Sequence, residues 1–121
     1  MSRVTRTLAA LAAVTALLAL APAAPADPTA TAARSCEVGD SRSYGTTYVL
    51  GISVSGTSCR AARKVIRAFH GCRPGKSGRC GGVLGYSCSE SRFNKGRTSY
   101  DSRVTCRKGG KTVKHTYTQF T

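Results

Sequence analysis

Glu90 and His115 are the two side chains whose types best fit general acid–base chemistry. A carboxylate and an imidazole can pass a proton to and from a reacting hydroxyl while nearby cations hold a phosphate. The pair raises the hypothesis of a small basic ribonuclease. However, the strand pattern described below points His115 to the interior, where a histidine is more often packed or hydrogen-bonded. We therefore predict that the chain is not an enzyme and keep ribonuclease activity as an alternative.

A second candidate is the segment CRPGKSGRC, residues 72–80, which places three cations between two cysteines. Its GKS letters lack the earlier glycine of a phosphate-binding P-loop, because His70 stands at that position. Lys76 or Arg79 could instead be offered to a trypsin-like enzyme, which would make the chain a secreted protease inhibitor. Two glycines in the segment predict a flexible loop, whereas tight inhibition depends on preorganisation. Inhibition is therefore an alternative, and a soluble connection is the simpler interpretation.

The N-terminal segment has the features of a secretory signal peptide. Arg3 and Arg6 precede an apolar run at residues 8–21, and the Ala-Pro-Ala of residues 24–26 fits a signal-peptidase site. The apolar run is too short for a stable transmembrane helix, which needs about 20 residues. We predict a secreted, extracellular protein with no transmembrane segment in its mature part. The predicted divisions are a signal peptide at 1–26, a flexible leader at 27–35 and a single small disulfide-linked domain at 36–121.

All six cysteines fall within the predicted domain, and an even number of cysteines in a short exported chain indicates a disulfide framework. Zinc is a weaker interpretation because no two cysteines have the C-x2-C spacing, and we expect neither a metal nor another cofactor. Six cysteines allow about 15 pairings, and the sequence alone does not choose among them. The predicted disulfide cysteines are Cys36, Cys59, Cys72, Cys80, Cys88 and Cys106.

One strand and one helix open the predicted domain. Residues 46–55 alternate with period two, which is typical of a half-buried strand. Its predicted buried face carries Tyr48, Leu50, Ile52 and Val54. Residues 59–70 follow the helical period and have an apolar stripe that is separate from a stripe of cations. We expect Thr57 or Ser58 as the N-cap of this helix and Gly71 as its C-cap.

Three further strands follow the helix. Their approximate bounds are 83–92, 100–108 and 111–119. Gly109-Gly110 is a strong hairpin signal and fixes a register in which Lys108 faces Lys111 and Val104 faces His115. In this register the apolar and the basic residues fall on opposite faces of the hairpin, which supports the prediction. The inner face carries Val104, Cys106, Val113, His115 and Tyr117. The outer face carries Arg103, Thr105, Arg107, Thr112 and Lys114.

The order of strand, helix and three-stranded meander predicts an α+β fold. In this fold one amphipathic helix packs on a small antiparallel sheet of three to four strands, and disulfides staple the domain. Cysteines at the same end of the sheet are then expected to pair. This favours the pairings Cys72–Cys106, Cys59–Cys88 and Cys36–Cys80, and it leaves a closed Cys72–Cys80 ring as the alternative.

Three stretches of the sequence are similar to a diffuse group of small exported actinobacterial proteins. The stretches are SCRAARKVIRAF, GYSC and VTCRKGGKTV, which correspond to a helix opened by cysteine, a Gly-aromatic-x-Cys strand and a closing Cys-basic-Gly hairpin. This resemblance covers roughly residues 57–118. It implies secretion and a small disulfide-linked domain, and it implies no particular activity.

The chain is strongly positive, with a formal net charge of +14 for the full sequence. Seventeen Lys and Arg against five Asp and Glu, or +12, remain after removal of the predicted signal peptide. Such a charge attracts polyanions, so we predict a non-enzymatic domain that binds anionic cell-envelope or extracellular polymers. Sequence-specific nucleic-acid recognition is not expected, because we find no recognised module and few aromatic residues on predicted outer faces. The predicted polyanion-binding residues are Arg60, Arg63, Lys64, Arg67, Arg103, Arg107, Lys108, Lys111 and Lys114.

Overall fold

The structure is a computed structural model that describes residues 32–121. The predicted signal peptide at 1–26 and residues 27–31 of the predicted leader lie outside the described residues. One helix and six strands make up the described part. In chain order they are β1 (Arg34–Cys36), β2 (Tyr48–Ser55), α1 (Cys59–Cys72), β3 (Gly82–Val83), β4 (Tyr86–Phe93), β5 (Ser99–Lys108) and β6 (Lys111–Phe120).

The six strands form one antiparallel sheet in the order β1-β2-β6-β5-β4-β3. The prediction of one helix on an antiparallel sheet with disulfides is confirmed, but three to four strands is too few. Both missed strands are short and lie at the sheet edges. β1 falls at the end of the predicted leader, and a turn at Leu84-Gly85, where φ is positive at both residues, divides the predicted strand 83–92 into β3 and β4.

The β5–β6 hairpin at the centre of the sheet has the predicted register. Lys108 lies opposite Lys111, and Val104 lies opposite His115. The five residues predicted for the inner face are all buried. The Gly-Gly turn and the alternation of side chains therefore suffice to place this part of the sheet.

β2 departs from the predicted alternation because it contains a bulge. The strand pairs with β6 through Val49 and then through Gly51, so Leu50 is an inserted residue. As a result Val49 is 1% exposed and Leu50 is 59% exposed. The predicted buried face is wrong for Tyr48 and Leu50, which lie on the other side. It is right for the second half of the strand, where Ile52 is buried.

α1 packs its apolar stripe on one face of the sheet. Its N-cap is Ser58, as predicted, and the Ser58 hydroxyl accepts a hydrogen bond from the Ala61 amide at 3.1 Å. The predicted C-cap at Gly71 is wrong, because the helix continues to Cys72 and its C-cap is Arg73, whose guanidinium donates buried hydrogen bonds to Gln119 and Tyr100. Within residues 32–121, no helix is long and apolar enough to cross a membrane. The buried helix residues are Ala62, Val65, Ile66 and Phe69.

Three disulfides cross-link the domain, and none of the favoured pairings is formed. The favoured pairings were Cys72–Cys106, Cys59–Cys88 and Cys36–Cys80. The observed pairs are Cys36–Cys59, Cys72–Cys80 and Cys88–Cys106, with Cα–Cα distances of 5.6, 5.7 and 4.0 Å. Cys88 and Cys106 are direct register partners, and β1 brings Cys36 to the start of α1. The alternative of a closed ring at 72–80 is correct.

We predict that Gly56 tolerates no side chain. Its φ is +69°, and a Cβ there would lie 2.2 Å from the Gly110 carbonyl oxygen in the hairpin turn. Gly56→Ala should therefore lower the free energy of unfolding by about 2–4 kcal/mol, from left-handed strain plus overpacking. Gly39→Ala is the matched control, because Gly39 has a φ of +71° and open space around it. It should cost only about 1 kcal/mol. Urea denaturation measures both losses, and equal losses would contradict the close approach.

Candidate functional site

One face of the sheet is not covered by α1, and we call it the outer face. Strand alternation places three of the predicted polyanion-binding cations on it, and all three are exposed. These cations are Arg103, Arg107 and Lys114. Hydroxyl side chains from neighbouring strands surround them. The hydroxyls belong to Ser53, Ser55, Thr105, Thr112 and Thr116.

The three cations lie on successive rows of the sheet. Arg107 is on the row of Thr112, Lys114 is on the row of Thr105, and Arg103 is on the next row. Because successive rows on one face are two residues apart, the charges repeat about every 7 Å along the strands. Among the described residues, these rows carry no carboxylate on the outer face. Two shallow depressions of about 290 and 130 Å³ lie side by side and share Lys114 in their walls.

The four predicted cations of the helix lie on the opposite side of the molecule, so the nine predicted residues do not form one surface. Arg63 donates to the Glu37 carbonyl oxygen at 3.2 and 2.7 Å, and Arg67 donates to the Ser43 carbonyl oxygen at 3.4 Å. Both therefore help to hold the preceding loop on the helix. The other two are exposed; they are Arg60 and Lys64.

Lys108 and Lys111 flank the hairpin turn at one end of the sheet. Lys108 donates from Nζ to the Leu84 carbonyl oxygen at 3.3 Å and lies 5.8 Å from the centre of the Tyr86 ring. It thus closes the turn between β3 and β4. Lys111 is exposed, but strand alternation places it with Val113 on the inner side of β6 rather than on the outer face.

Aromatic rings occupy the other end of the outer face, and the prediction of few outer aromatics is wrong. Phe93, Tyr48 and Phe120 all lie there, and the centres of the Tyr48 and Phe120 rings are 5.2 Å apart in an edge-on arrangement. The β2 bulge turns Tyr48 outward. Phe93 and Phe120 each lie one residue beyond the predicted strand ends at 92 and 119. Continuing the alternation by one residue would have found both of them.

Glu90 lies on the inner face, and its side chain is only 3% exposed. Its carboxylate accepts hydrogen bonds from the hydroxyls of Tyr117 and Ser102, the latter at 2.8 Å, and pairs with Arg92 at 3.3 Å. Burial alone would raise the pKa of Glu90, but these hydrogen bonds and the charge of Arg92 outweigh it, so the pKa is lowered. The carboxylate therefore stays ionised inside the protein.

The predicted acid–base pair shares one row of the sheet, with Glu90 and His115 on either side of Val104. Both side chains point inward, and His115 is 2% exposed. The His115 imidazole faces His70, with 3.0 Å between the two Nε2 atoms. The structure thus places both members of the pair inside the packed core.

A chain of hydrogen bonds sets the proton positions of the two histidines. The Arg73 guanidinium can only donate, so His70 accepts at Nδ1 (3.2 Å) and donates from Nε2 to His115. The His115 proton is then on Nδ1, which has no partner among the described residues. Burial, followed by the charge of Arg73, lowers the pKa of His70 to about 4. Burial, followed by His70 and Arg73, lowers the pKa of His115 to about 3.

Arg73 also holds the ring at 72–80 onto the inner face. It is 7% exposed and donates to the carbonyl oxygens of Lys76 and Gly78, the latter at 2.9 Å. The Tyr100 hydroxyl also donates to the Lys76 carbonyl oxygen, at 2.6 Å. Arg92 binds the Gly78 carbonyl oxygen at 2.8 Å. The predicted flexibility of this segment is therefore wrong, because two largely buried guanidinium groups and a disulfide fix its backbone.

These contacts decide how the two ring cations are presented. The Lys76 carbonyl points into the protein, where a protease could not bind it. Arg79 has a side chain that is 54% exposed, but its guanidinium lies 3.2 Å from the Glu90 carbonyl oxygen and 3.6 Å from its carboxylate. A cavity of about 350 Å³ beside the ring has Arg79, Arg92 and Tyr100 in its wall. Both of these arginines already bind Glu90.

Comparison with known proteins supplies no relative: no family model, curated protein or solved structure matches the chain. Among residues 32–121, no three potential metal ligands come together. The two faces of the sheet therefore provide the chemistry from which a function can be proposed.

We predict that acid destabilises the fold in two stages. Unfolded histidines bind a proton near pH 6.5, whereas folded His70 and His115 do so near pH 4 and 3. The unfolded chain therefore binds more protons as the pH falls below about 6.5, and the free energy of unfolding decreases. Below about pH 4.5, the lowered pKa of Glu90 causes a further loss.

Replacing His115 tests the part of the first stage that this histidine contributes. His115→Gln should make the fall in unfolding free energy between about pH 6.5 and 4.5 less steep, since a difference of one pKa unit corresponds to about 1.4 kcal/mol. Urea titrations at several pH values give the slope for both proteins. An identical slope would show that His115 does not titrate as its burial implies.

A further prediction concerns the ring at 72–80. Arg73→Met should leave the Cys72–Cys80 bond intact but release the Lys76 carbonyl, so trypsin should cut after Lys76 at least about ten times faster than in the native protein. Arg97→Met, in an exposed turn, is the control and should leave that bond protected. Mass spectrometry of timed digests identifies the cut. Rapid cleavage after Lys76 in the unaltered protein would contradict a fixed ring.

Proposed function

We propose that the chain is an exported cationic domain that binds anionic cell-envelope or extracellular polymers without altering them. The observation that carries this proposal is the row-by-row repeat of Arg107, Lys114 and Arg103 on the uncovered face of the sheet. The three disulfides support export, because such bonds form and persist in oxidising compartments. The helix and the disulfides would act only as a scaffold for this face.

The sheet cations suit a polyanion better than the helix cations do. Arg63 and Arg67 already donate to main-chain carbonyl oxygens, and moving them to a ligand would release the loop that they hold. Arg107 and Lys114 have no ion-pair partner among the described residues. A polyanion that approaches them displaces only water and counterions, and the release of counterions favours binding.

The same geometry gives less support to the two alternatives. A ribonuclease would need Glu90 and His115 to reach a substrate, and both are buried and bonded within the core. A protease inhibitor acting through Lys76 would need its carbonyl to face outward. Arg79, which keeps an exposed side chain, is the better residue for that alternative.

Heparin and phosphocellulose chromatography tests the proposal. The triple variant Arg103→Gln, Arg107→Gln, Lys114→Gln should elute at much lower salt, and the slope of log K against log[salt] should fall by about 2–3. The control carries Arg60→Gln, Lys64→Gln and Lys76→Gln, so its net charge changes equally. It should change the elution much less, because these residues lie away from the face.

Two results would count against this proposal. If the unaltered protein elutes below physiological salt, polyanion binding is too weak to be its role. If both triple variants lose retention equally, total charge rather than the outer face determines binding.

A further inference from the structure

The outer face joins a cationic end to an aromatic end, and we infer that it binds single-stranded nucleic acid without sequence preference. This inference rests on the proposed function and names the class of polymer. A repeating negative charge satisfies the cations alone. The rings add a surface on which a flat unsaturated group in the repeat of the polymer can stack.

The aromatic end is built along one row of the sheet. Phe93 in β4 and Tyr48 in β2 end a row that passes through Asp101 and Thr118. Three strand spacings separate them, or about 14 Å. Phe120 lies against Tyr48 and is 49% exposed, and Phe93 is 36% exposed. Exposed rings on an open sheet are platforms on which successive bases can stack.

Each end of the row also has an arginine over a ring. The Arg103 guanidinium carbon lies 5.4 Å from the centre of the Phe93 ring, and that of Arg42 lies 4.8 Å from the centre of the Tyr48 ring. A guanidinium plane stacks on bases and also donates to phosphate. Each of these two pairs can therefore contribute both to base stacking and to phosphate binding.

Asp101 separates the place for bases from the place for phosphates. Its carboxylate accepts hydrogen bonds from Thr118 (2.6 Å) and Asn94 (2.8 Å) and stays ionised. It repels phosphates from the aromatic row and can accept from the amino groups of bases. Phosphates are then favoured on the rows of Arg103 and Lys114, about 7 and 14 Å further along the strands.

The shorter offset, to the row of Arg103, suits a single nucleotide, whose base and phosphate lie on different sides of the sugar. Sulfated sugars and polyol phosphates carry the charge but have no flat ring. In a double helix the bases are stacked on one another and are hidden from the sheet. An anionic bilayer fits less well, because inserting the rings would carry the Asp101 carboxylate toward the headgroups.

The decisive comparison uses two oligomers with the same backbone charge. Fluorescence anisotropy at about 0.15 M salt would measure the Kd for an oligothymidylate of about 15 nucleotides and for an abasic phosphodiester of the same length. We expect the oligothymidylate to bind at least about tenfold more tightly, because only it can stack.

Substitutions of Phe93 and Phe120 test whether the rings of the outer face cause this preference for oligothymidylate. Phe93→Ala with Phe120→Ala should reduce the preference to nearly one while leaving the Kd for the abasic oligomer unchanged. Phe93→Tyr with Phe120→Tyr keeps both rings and should keep the preference. Circular dichroism and a thermal melt establish that each variant is folded. If the alanine pair does not fold, the tyrosine pair and the two oligomers on the unaltered protein still decide the question.

Each outcome separates this inference from the proposed function. Equal affinity for the two oligomers, with retention on heparin, overturns the inference and leaves polyanion binding intact. Loss of binding to both oligomers and to heparin overturns both. Tighter binding to phosphatidylglycerol vesicles than to oligothymidylate, lost in the alanine pair, would show that the rings meet a membrane and also overturns the inference.

Discussion

One helix can cover only one side of a six-stranded sheet, and this constraint decides where the polar and apolar side chains of the chain go. α1 has 14 residues and is therefore about 21 Å long. Because side chains alternate along every strand, covering one side fixes the environment of each position on both sides. The covered side collects valines, isoleucine and Phe69. The open side keeps the hydroxyls and cations that remain in water.

The covered side has a polar end as well, where the sheet extends beyond the end of α1. There the disulfide-closed ring replaces a further turn of helix, and its backbone carbonyl oxygens need donors. Arg73 and Arg92 supply them, and Glu90 balances their charge. A buried charge network of this kind is costly unless each member is bonded. Nearly every charged group in this network has a partner, which suits a structural role. Ligand binding is therefore better assigned to the open side of the sheet.

The sequence was sufficient for the elements whose signals are redundant. The hairpin has a Gly-Gly turn, two alternating strands and a separation of charge that all favour one register. α1 has a polar N-cap and a continuous apolar stripe. β1 has three residues and no period to detect, and without it the position of Cys36 cannot be deduced. The missing strand explains why Cys36–Cys59 was not predicted. The favoured pairing of Cys106 with Cys72 is wrong for another reason, because the register between β4 and β5 places Cys106 directly opposite Cys88.

The candidate site also has one part that the sequence predicts and one part that it does not. The cations of the outer face were predictable because they alternate with apolar residues in β5 and β6. The rings were missed for two physical reasons. Phe93 and Phe120 are at strand ends, where hydrogen-bond pairing rather than residue type decides the boundary. Tyr48 precedes an inserted residue that the alternation of side chains does not reveal. Val49 and Leu50 are both apolar, so the sequence pattern alone does not show which of them faces the core.

The inserted Leu50 means that a single codon decides whether β2 contains a bulge. Its neighbours in the chain, Val49 and Gly51, pair with the consecutive residues Tyr117 and Thr116 of β6, so β2 without Leu50 would alternate as a regular strand. Deletion of that codon would therefore keep the Tyr48 phenol on the solvent side and Val49 toward the helix, and it would remove only the exposed leucine. This is a change in length that the sheet can absorb without moving an aromatic ring from one side to the other.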